Sequence, residues 1–143
     1  RGLGDVYKRQ IDKDTPFPKR LCEIYEDYCQ ILDSWKPDAL SIERLYFTNN
    51  QKTGIDVAQA RGIIIMAAAQ RGIEINEYTP LQVKQAVVGY GQAVKKQVQE
   101  MTKNILKLSC VPKPDDTADA LAMTICHAQT SGSLLRNIKA SNI

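Results

Sequence analysis

The segment KPDALSIERLYF, residues 36–47, decides the fold. Its short apolar stretch, with Leu40 and Ile42, follows a helical pattern directly, as a buried strand of an α/β sheet does. We therefore predict a strand over residues 38–43. Glu43 then stands at the carboxyl end of the strand, which is where open α/β sheets place their sites.

Helical and strand patterns alternate on both sides of this segment. Apolar residues at spacings of three and four predict an amphipathic helix from Pro18 to Pro37, and a second helix is expected from about Thr53 to Arg71. Residues 73–78 have the pattern of another strand. This alternation predicts one α/β domain, in which a sheet is flanked by helices.

Three further helices are predicted towards the C-terminus. The run TPLQ, residues 79–82, supplies an N-cap, a proline at the first helical position and a capping-box glutamine. The last helix is expected to run from Asp115 or Asp116 to about His127. Between them, five residues are expected to form the buried stripe of a longer helix: Val94, Val98, Met101, Ile105 and Leu108.

The two ends of the chain differ from this pattern. Residues 1–10, RGLGDVYKRQ, show no clear periodicity, and we expect them to be a non-native or artefactual segment. The domain proper is assigned to residues 11–130, and residues 131–143 are expected to be a loosely held tail. No apolar run reaches the roughly 18 residues of a membrane span, so a cytoplasmic protein is the default expectation.

The charge of the chain carries information only in its local distribution. The formal net charge is +3, but residues 1–10 hold three basic residues against one acidic residue and account for +2 of it. Residues 79–108 hold five lysines against one glutamate, a local charge of +4. That cluster suits contact with phosphates. Lysines on the wet face of a helix are, however, often there for solvation alone.

The sequence lacks the motifs that mark several common kinds of functional site. The sequence has no GxSxG, P-loop or GxGxxG pattern, which argues against a serine hydrolase and a nucleotide-binding protein. Its four cysteines include no CxxC pair of the zinc-site type.

Three acidic residues are candidates for a metal site. Glu43 closes a strand, and Asp116 and Asp119 are three apart, on one face of the last helix. Such carboxylates suit Mg²⁺, which prefers oxygen ligands. The spacing alone favours a plainer role for Asp115 and Asp116, as acids that stabilise a helix N-terminus.

Two other residues allow more than one interpretation. Tyr46, followed by Phe47 and two asparagines, could stack on an unpaired base or pack into the core. His127 stands eleven residues after Asp116, on roughly the same helix face, and a packed or capping histidine is the favoured interpretation.

The order and separation of four runs resemble the RuvC-type crossover junction endodeoxyribonucleases. The resemblance covers approximately residues 11 to 143, and the combination of QARG, VKQAVVG and DxxDALA within these runs is highly specific. The runs are KPDALSIERLYF (36–47), VAQARGIIIMAAA (57–69), YTPLQVKQAVVGYGQAVKKQVQEM (78–101) and DDTADALAMTICHA (115–128).

This resemblance implies a ribonuclease-H-like fold, with a mixed sheet flanked by helices, and a homodimer that nicks two opposing strands of a Holliday junction symmetrically. Four acidic residues of the family bind two Mg²⁺ ions. Glu43 falls on the strand-end glutamate of the family, and Asp116 and Asp119 fall on its C-terminal acidic pair.

The resemblance also implies DNA contacts and partners. Lys84 and Lys95 match positions where the family carries basic residues facing DNA, and Lys96 beside them is included in the predicted DNA-binding set. Tyr46 matches an aromatic position near the unpaired bases of the junction. The expected partners are four-way DNA, a second copy of the chain and the RuvA and RuvB branch-migration proteins, in a bacterial cytoplasm.

One part of the family pattern is not found. The family begins with a strand bearing an aspartate in a GIDPG-like motif, and a second strand follows. Nothing in residues 1–10 matches either strand, since Asp5 is followed by Val-Tyr-Lys. We therefore expect an N-terminally truncated chain that lacks the first strands and one metal ligand, and whose activity is impaired.

The alternative is a non-catalytic junction-DNA-binding protein of the same fold. Another nuclease or a transposase-like member of that fold class is a more distant option.

Overall fold

The structure is a computed structural model that describes residues 14–44 and 51–141, with side chains described for 14–44 and 54–132. Its elements, in chain order, are α1 (Phe17–Trp35), β1 (Ala39–Glu43), α2 (Gln51–Ala69), β2 (Glu74–Tyr78), α3 (Pro80–Val88), α4 (Lys95–Ile105) and α5 (Asp115–Ser141). Among the described residues, 14–38 and 51–74 form one compact unit, and 39–44 and 75–141 form the other.

The first unit is built from α1 and α2, which pack against each other. Leu32 of α1 is buried, and the small residues Ala67 and Ala68 of α2 are fully buried, so the two helices approach closely. Helix α1 ends where Lys36 takes a left-handed conformation and its N–H donates to the carbonyl of Leu32 at 2.8 Å.

A bidentate ion pair joins α1 to the turn that follows α2. The Arg71 guanidinium donates from Nε to Asp33 Oδ1 at 2.6 Å and from Nη2 to Asp33 Oδ2 at 2.9 Å. A third nitrogen, Nη1, donates to the carbonyl of Ala67 at 3.1 Å. The hydrogen bond from Arg71 holds the pKa of the Asp33 carboxyl below its usual range and raises the pKa of Arg71.

The second unit places β1 and β2 side by side in a small parallel sheet, with α3, α4 and α5 packed together. The N–H of Arg44, just after β1, donates to the carbonyl of Tyr78 at 2.8 Å. The core of this unit consists of Tyr78, Val83, Val87, Ala93, Val98, Ala122, Ile125 and Cys126. The predicted α/β class is confirmed.

Helix α3 begins with the capping box that the sequence predicts. The N–H of Gln82 donates to Thr79 Oγ1 at 3.1 Å, and the N–H of Thr79 donates to Gln82 Oε1 at 2.8 Å. The helix ends at Gly89, whose φ of 96° is a conformation that other residues adopt only with strain.

The expected buried stripe of α4 is wrong. Of the five residues, Val98 is buried, but Val94 is 60% exposed and Ile105 is 42% exposed. The buried face of α4 runs instead through Val98 and Thr102, which are four apart and stand one above the other. The apolar pattern failed because Thr102, a polar residue, occupies the fully buried position one turn after Val98.

Helix α5 is longer than expected. It continues to Ser141 rather than ending near His127, so residues 131–141 are helical. That residues 131–143 are loosely held stays a prediction. In the part of the chain that the structure describes, no helix is both long and apolar enough to cross a membrane.

The Asp33–Arg71 pair predicts a pH-dependent contribution to stability. Because the pKa of Asp33 is lowered in the folded state, the pair stabilises the fold above the unfolded pKa of about 3.9, and that stabilisation is lost as the pH falls through the lower folded value. We expect Asp33→Asn to unfold at a lower urea concentration than the wild type at pH 7, and the difference to shrink on acidification.

Glu26→Gln, at an exposed carboxyl of the same helix, serves as the control. Equal urea midpoints for Asp33→Asn and wild type at every pH would contradict the expectation.

Thr102 predicts a stabilising substitution. Its side chain is fully buried, and its hydroxyl has no hydrogen-bond partner among the described residues. Since an unpaired buried hydroxyl is costly, Thr102→Val should raise the free energy of unfolding by about 1 kcal/mol, measured by urea unfolding. Thr124→Val is the matched control, because the Thr124 hydroxyl is exposed and donates to the Ala120 carbonyl at 3.0 Å; it should give no gain. A loss of stability in Thr102→Val would show that the hydroxyl has a partner.

Candidate active site

A cleft of about 220 Å³ in the second unit brings four of the predicted site residues together. Its charged lining consists of Glu43 from β1, Lys84 from α3, Lys95 from α4 and Asp119 from α5. The remaining lining is apolar: Pro80, Val83, Val98, Ala122 and Met123. Four different elements therefore each supply one charged group to a single cleft, whose other lining residues are apolar.

Buried neighbours fix the direction of the two helical residues. In α3, Val83 is a buried core residue, and Lys84 follows it at the edge of the cleft. In α5, Ala118 and Ala122 are each 1% exposed and lie on either side of Asp119 in the sequence. Because the alanines set which face of α5 is buried, the Asp119 carboxylate is held at the margin of that face.

The strand end that carries Glu43 is held by its neighbour. The hydrogen bond from the Arg44 N–H to the Tyr78 carbonyl pairs the end of β1 with the end of β2. The Arg44 side chain adds an exposed ion pair, with Nε 3.7 Å from Glu77 Oε2. An exposed pair of this kind contributes little stability, so the backbone pairing of β1 with β2 restrains this strand end more than the ion pair does.

An ion pair joins α4 to α5 at the cleft. The Lys95 ammonium lies 3.1 Å from Asp119 Oδ2 and 3.4 Å from Asp115 Oδ2. Both partners of the shorter contact are about half exposed, and the hydrogen bond to Asp119 raises the pKa of Lys95. One lysine therefore offsets part of the negative charge of two carboxylates.

The remaining predicted site residues lie elsewhere. Asp116 is exposed in the first turn of α5, one turn before Asp119, and does not line the cleft. Lys96 is exposed on α4 and does not line it either. Tyr46 lies outside the described residues. Asp115 stands in the first turn of α5, as the sequence suggested, and also contacts Lys95.

The donor chemistry of the cleft fits a hard divalent cation. Glu43 and Asp119 offer carboxylate oxygens, and Mg²⁺ is commonly held by one or two protein carboxylates, with water and substrate phosphate as the other ligands. Within residues 14–44 and 51–141, no three His, Cys, Asp or Glu side chains are grouped closely enough to hold a metal by themselves. The described residues can therefore supply part of a metal site rather than a closed cage.

A tyrosine–histidine pair in the same unit as the cleft was not predicted. Tyr78 Oη lies 2.8 Å from His127 Nδ1, and the two rings meet edge to face with centroids 6.0 Å apart. The pair joins β2 to α5, across 49 positions of sequence. The interpretation of His127 as a packed histidine agrees with this contact, but nothing in the sequence pattern identified its partner.

Comparison with known proteins identifies the family to which these residues belong. A family model described as "Crossover junction endodeoxyribonuclease RuvC" matches residues 6–127, a range that includes every residue of the cleft. The chain belongs to the RuvC family. The match begins within residues 1–10, whose origin stays a prediction.

Curated members of the RuvC family are similar over most of the chain. A crossover junction endodeoxyribonuclease RuvC from Brevibacillus brevis is 53% identical over 120 residues, which cover 84% of this chain and 72% of the relative. The protein of the same name from Desulforamulus reducens is 48% identical over 143 residues, covering 96% of this chain and 88% of the relative. The sequence-based assignment to this family of nucleases is confirmed.

Solved RuvC structures share the fold. Thermus thermophilus RuvC is 33% identical and superposes with a TM-score of 0.76, over 83% of this chain and 72% of that one. A structure of the same protein in complex with Holliday junction substrate gives a TM-score of 0.78 at the same identity and coverage. The predicted ribonuclease-H-like fold is therefore confirmed.

The ion pair of Lys95 predicts competition with added cations. Because its ammonium lies on the Asp119 carboxylate, a divalent cation that binds Asp119 must displace or share that contact. We expect Lys95→Gln to bind Mn²⁺ more tightly than the wild type, measured by electron paramagnetic resonance without DNA. Lys96→Gln removes the same charge one residue away and should change the affinity less, because charges that are more distant and exposed are screened. Equal effects of the two substitutions would indicate a general charge effect.

Proposed function

We propose that this chain is a Holliday junction resolvase, a structure-selective endonuclease that hydrolyses a phosphodiester bond in each of two opposing strands in recombination and DNA repair. The observation that carries the proposal is the cleft that joins Glu43 and Asp119 with Lys84 and Lys95, in a chain of the RuvC family. The names of the relatives and the junction complex of one of them support the choice of substrate.

Glu43, Asp116 and Asp119 are the proposed catalytic and metal-binding acids, and two Mg²⁺ ions per site are the proposed cofactor. The two cleft carboxylates and the family's acidic pair support this assignment. When bound, Mg²⁺ supplies an activated water at neutral pH and stabilises negative charge on the attacking and leaving oxygens. The carboxylates of the chain would hold the cations in place and offset their positive charge.

The lysines of the cleft are proposed to position the DNA. Lys84 and Lys95 lie beside the two carboxylates, so a phosphate held by their ammonium groups lies next to the acids. Lys96 extends this positive surface along α4, and Tyr46 is proposed to stack on an unpaired base of the junction. Phosphate contacts of this kind fix the register of DNA without reading its sequence.

The proposed assembly is a homodimer. A Holliday junction presents two equivalent strands, and two identical cleft-bearing subunits related by a two-fold axis can cut both with one geometry. We propose RuvA and RuvB as branch-migration partners, and the bacterial cytoplasm, where the chromosome lies, as the place of action. The bacterial sources of the relatives support the last point.

The activity of residues 1–143 alone is proposed to be weak. The resemblance implies four acids, and the aspartate of the GIDPG-like motif has no match in residues 1–10. A site with three of its four acids holds its cations less firmly. Adding a family strand with that motif should therefore increase the rate.

Cleavage of a synthetic four-way junction in Mg²⁺ tests the proposal. We expect paired symmetric nicks, faster when the GIDPG-like strand of a relative is fused to the N-terminus. Since loss of an outer-shell partner of a metal ligand already costs roughly 10- to 100-fold, Glu43→Gln, Asp116→Asn and Asp119→Asn should each lower the rate about 100-fold or more. The rates are read from end-labelled strands.

The control variant is Glu26→Gln, which removes an exposed carboxyl of α1 outside the cleft and should cleave at the wild-type rate. A linear duplex of the same sequence is the control substrate and should stay intact. If every version binds the junction and none cleaves it, the resolvase proposal fails and the non-catalytic junction-binding alternative holds.

A further inference from the structure

Tyr78 makes hydrogen bonds to both parts of the chain that carry the carboxylates of the cleft: the end of β1 and helix α5. Its carbonyl accepts a hydrogen bond from the Arg44 N–H at 2.8 Å, next to Glu43 at the end of β1. Its hydroxyl lies 2.8 Å from Nδ1 of His127 on α5, the helix of Asp119. A single residue therefore connects the strand of one acid to the helix of the other.

The bond to His127 is well placed to resist movement of α5. Tyr78 is a buried core residue, 6% exposed, and its hydrogen bond to His127 is partly buried. A tyrosine hydroxyl both donates and accepts, so it can pair with either neutral tautomer of the histidine. His127 is eight residues beyond Asp119, roughly 12 Å along the helix axis at 1.5 Å per residue.

Apolar packing and the hydrogen bond restrain α5 in different ways. Near Asp119 the buried face of α5 is made of the small residues Ala118 and Ala122. Further along α5, Ile125 and Cys126 are also buried, and apolar contacts of this kind are non-directional. A hydrogen bond requires a defined distance and angle, so it selects one rotation and one axial position of the helix.

We propose that Tyr78 is a positioning residue: through its hydrogen bond to His127 it holds Asp119 at the separation from Glu43 that a shared divalent cation requires. The inference rests on the proposed function of the cleft. It assigns Tyr78 and His127 no contact with DNA or with the reacting atoms. Its consequence is that loss of the hydroxyl weakens cation binding without removing a ligand.

The experiment measures Mn²⁺ affinity of the 143-residue chain by electron paramagnetic resonance, with thermal unfolding recorded in parallel. Because outer-shell partners of metal ligands contribute roughly 10- to 100-fold in affinity, we expect Tyr78→Phe to weaken Mn²⁺ binding about tenfold. Tyr90→Phe is the matched control: it also removes a tyrosine hydroxyl, one that donates to Gln97 Oε1 at 2.9 Å on the exposed surface. It should leave the affinity within about twofold.

Substitutions at His127 separate positioning from general stability. Asn places a polar atom near the position of Nδ1, so His127→Asn should retain most of the affinity, whereas His127→Leu should lose as much as Tyr78→Phe. The double variant Tyr78→Phe with His127→Leu should be no weaker than either single one, since both remove the same bond.

Two results overturn the inference. Mn²⁺ affinity in Tyr78→Phe within about twofold of the wild type, whatever its melting temperature, shows that the hydroxyl does not position the site. An equal loss in Tyr90→Phe shows that the effect is not specific. Failure of the proposed function is seen separately: if Glu43→Gln and Asp119→Asn leave Mn²⁺ binding unchanged in the otherwise wild-type chain, the metal site itself is refuted, and the positioning role with it.

Discussion

The pairing of β1 with β2, which the hydrogen bond from the Arg44 N–H to the Tyr78 carbonyl continues past the end of β1, is the constraint on which the cleft depends. It joins the ends of β1 and β2, and so fixes where the backbone at Glu43 leaves the sheet. The capping box of α3 begins at the next residue, Thr79, so the strand end also determines where Lys84 stands. Glu43 and the start of the helix that carries Lys84 thus lie at one end of the sheet, while Lys95 and Asp119 lie on the later helices α4 and α5.

The charges of the cleft are balanced in a way that suits a polyanionic substrate. Two carboxylates and two lysines line it, and the Lys95 ammonium already lies on the Asp119 carboxylate. Carboxylates alone would repel a DNA phosphate, whereas the lysines keep the cleft near neutrality. A divalent cation bound to the carboxylates would turn the cleft positive and leave the lysines available to phosphate. For the proposed function, this arrangement links binding of a cation to binding of DNA through ordinary electrostatics.

The sequence was most informative where structure is determined locally. The capping box at Thr79 and the strand ending at Glu43 were predicted correctly, because each depends on residues within a few positions of one another. The stripe of α4 was predicted wrongly, since tertiary packing buries Thr102 there while Ile105 remains partly exposed. The pairing of Tyr78 with His127 spans 49 positions, and no periodicity in one sequence reports a contact of that range.

The acids at the start of α5 show why spacing alone left the site undecided. Carboxylates in the first turn of a helix are favoured by its unpaired N–H groups, and Asp115 and Asp116 both stand there. Asp119 lies one turn further along, where that stabilisation has faded, so its place in the cleft needs another reason. Its neighbours Ala118 and Ala122 are buried, and this burial sets the rotation of α5 that leaves the Asp119 carboxylate half exposed and within reach of Lys95. The place of Asp119 in the cleft therefore depends on the tertiary packing of α5 and on an ion pair to α4, and the spacing of acids along one sequence reports neither.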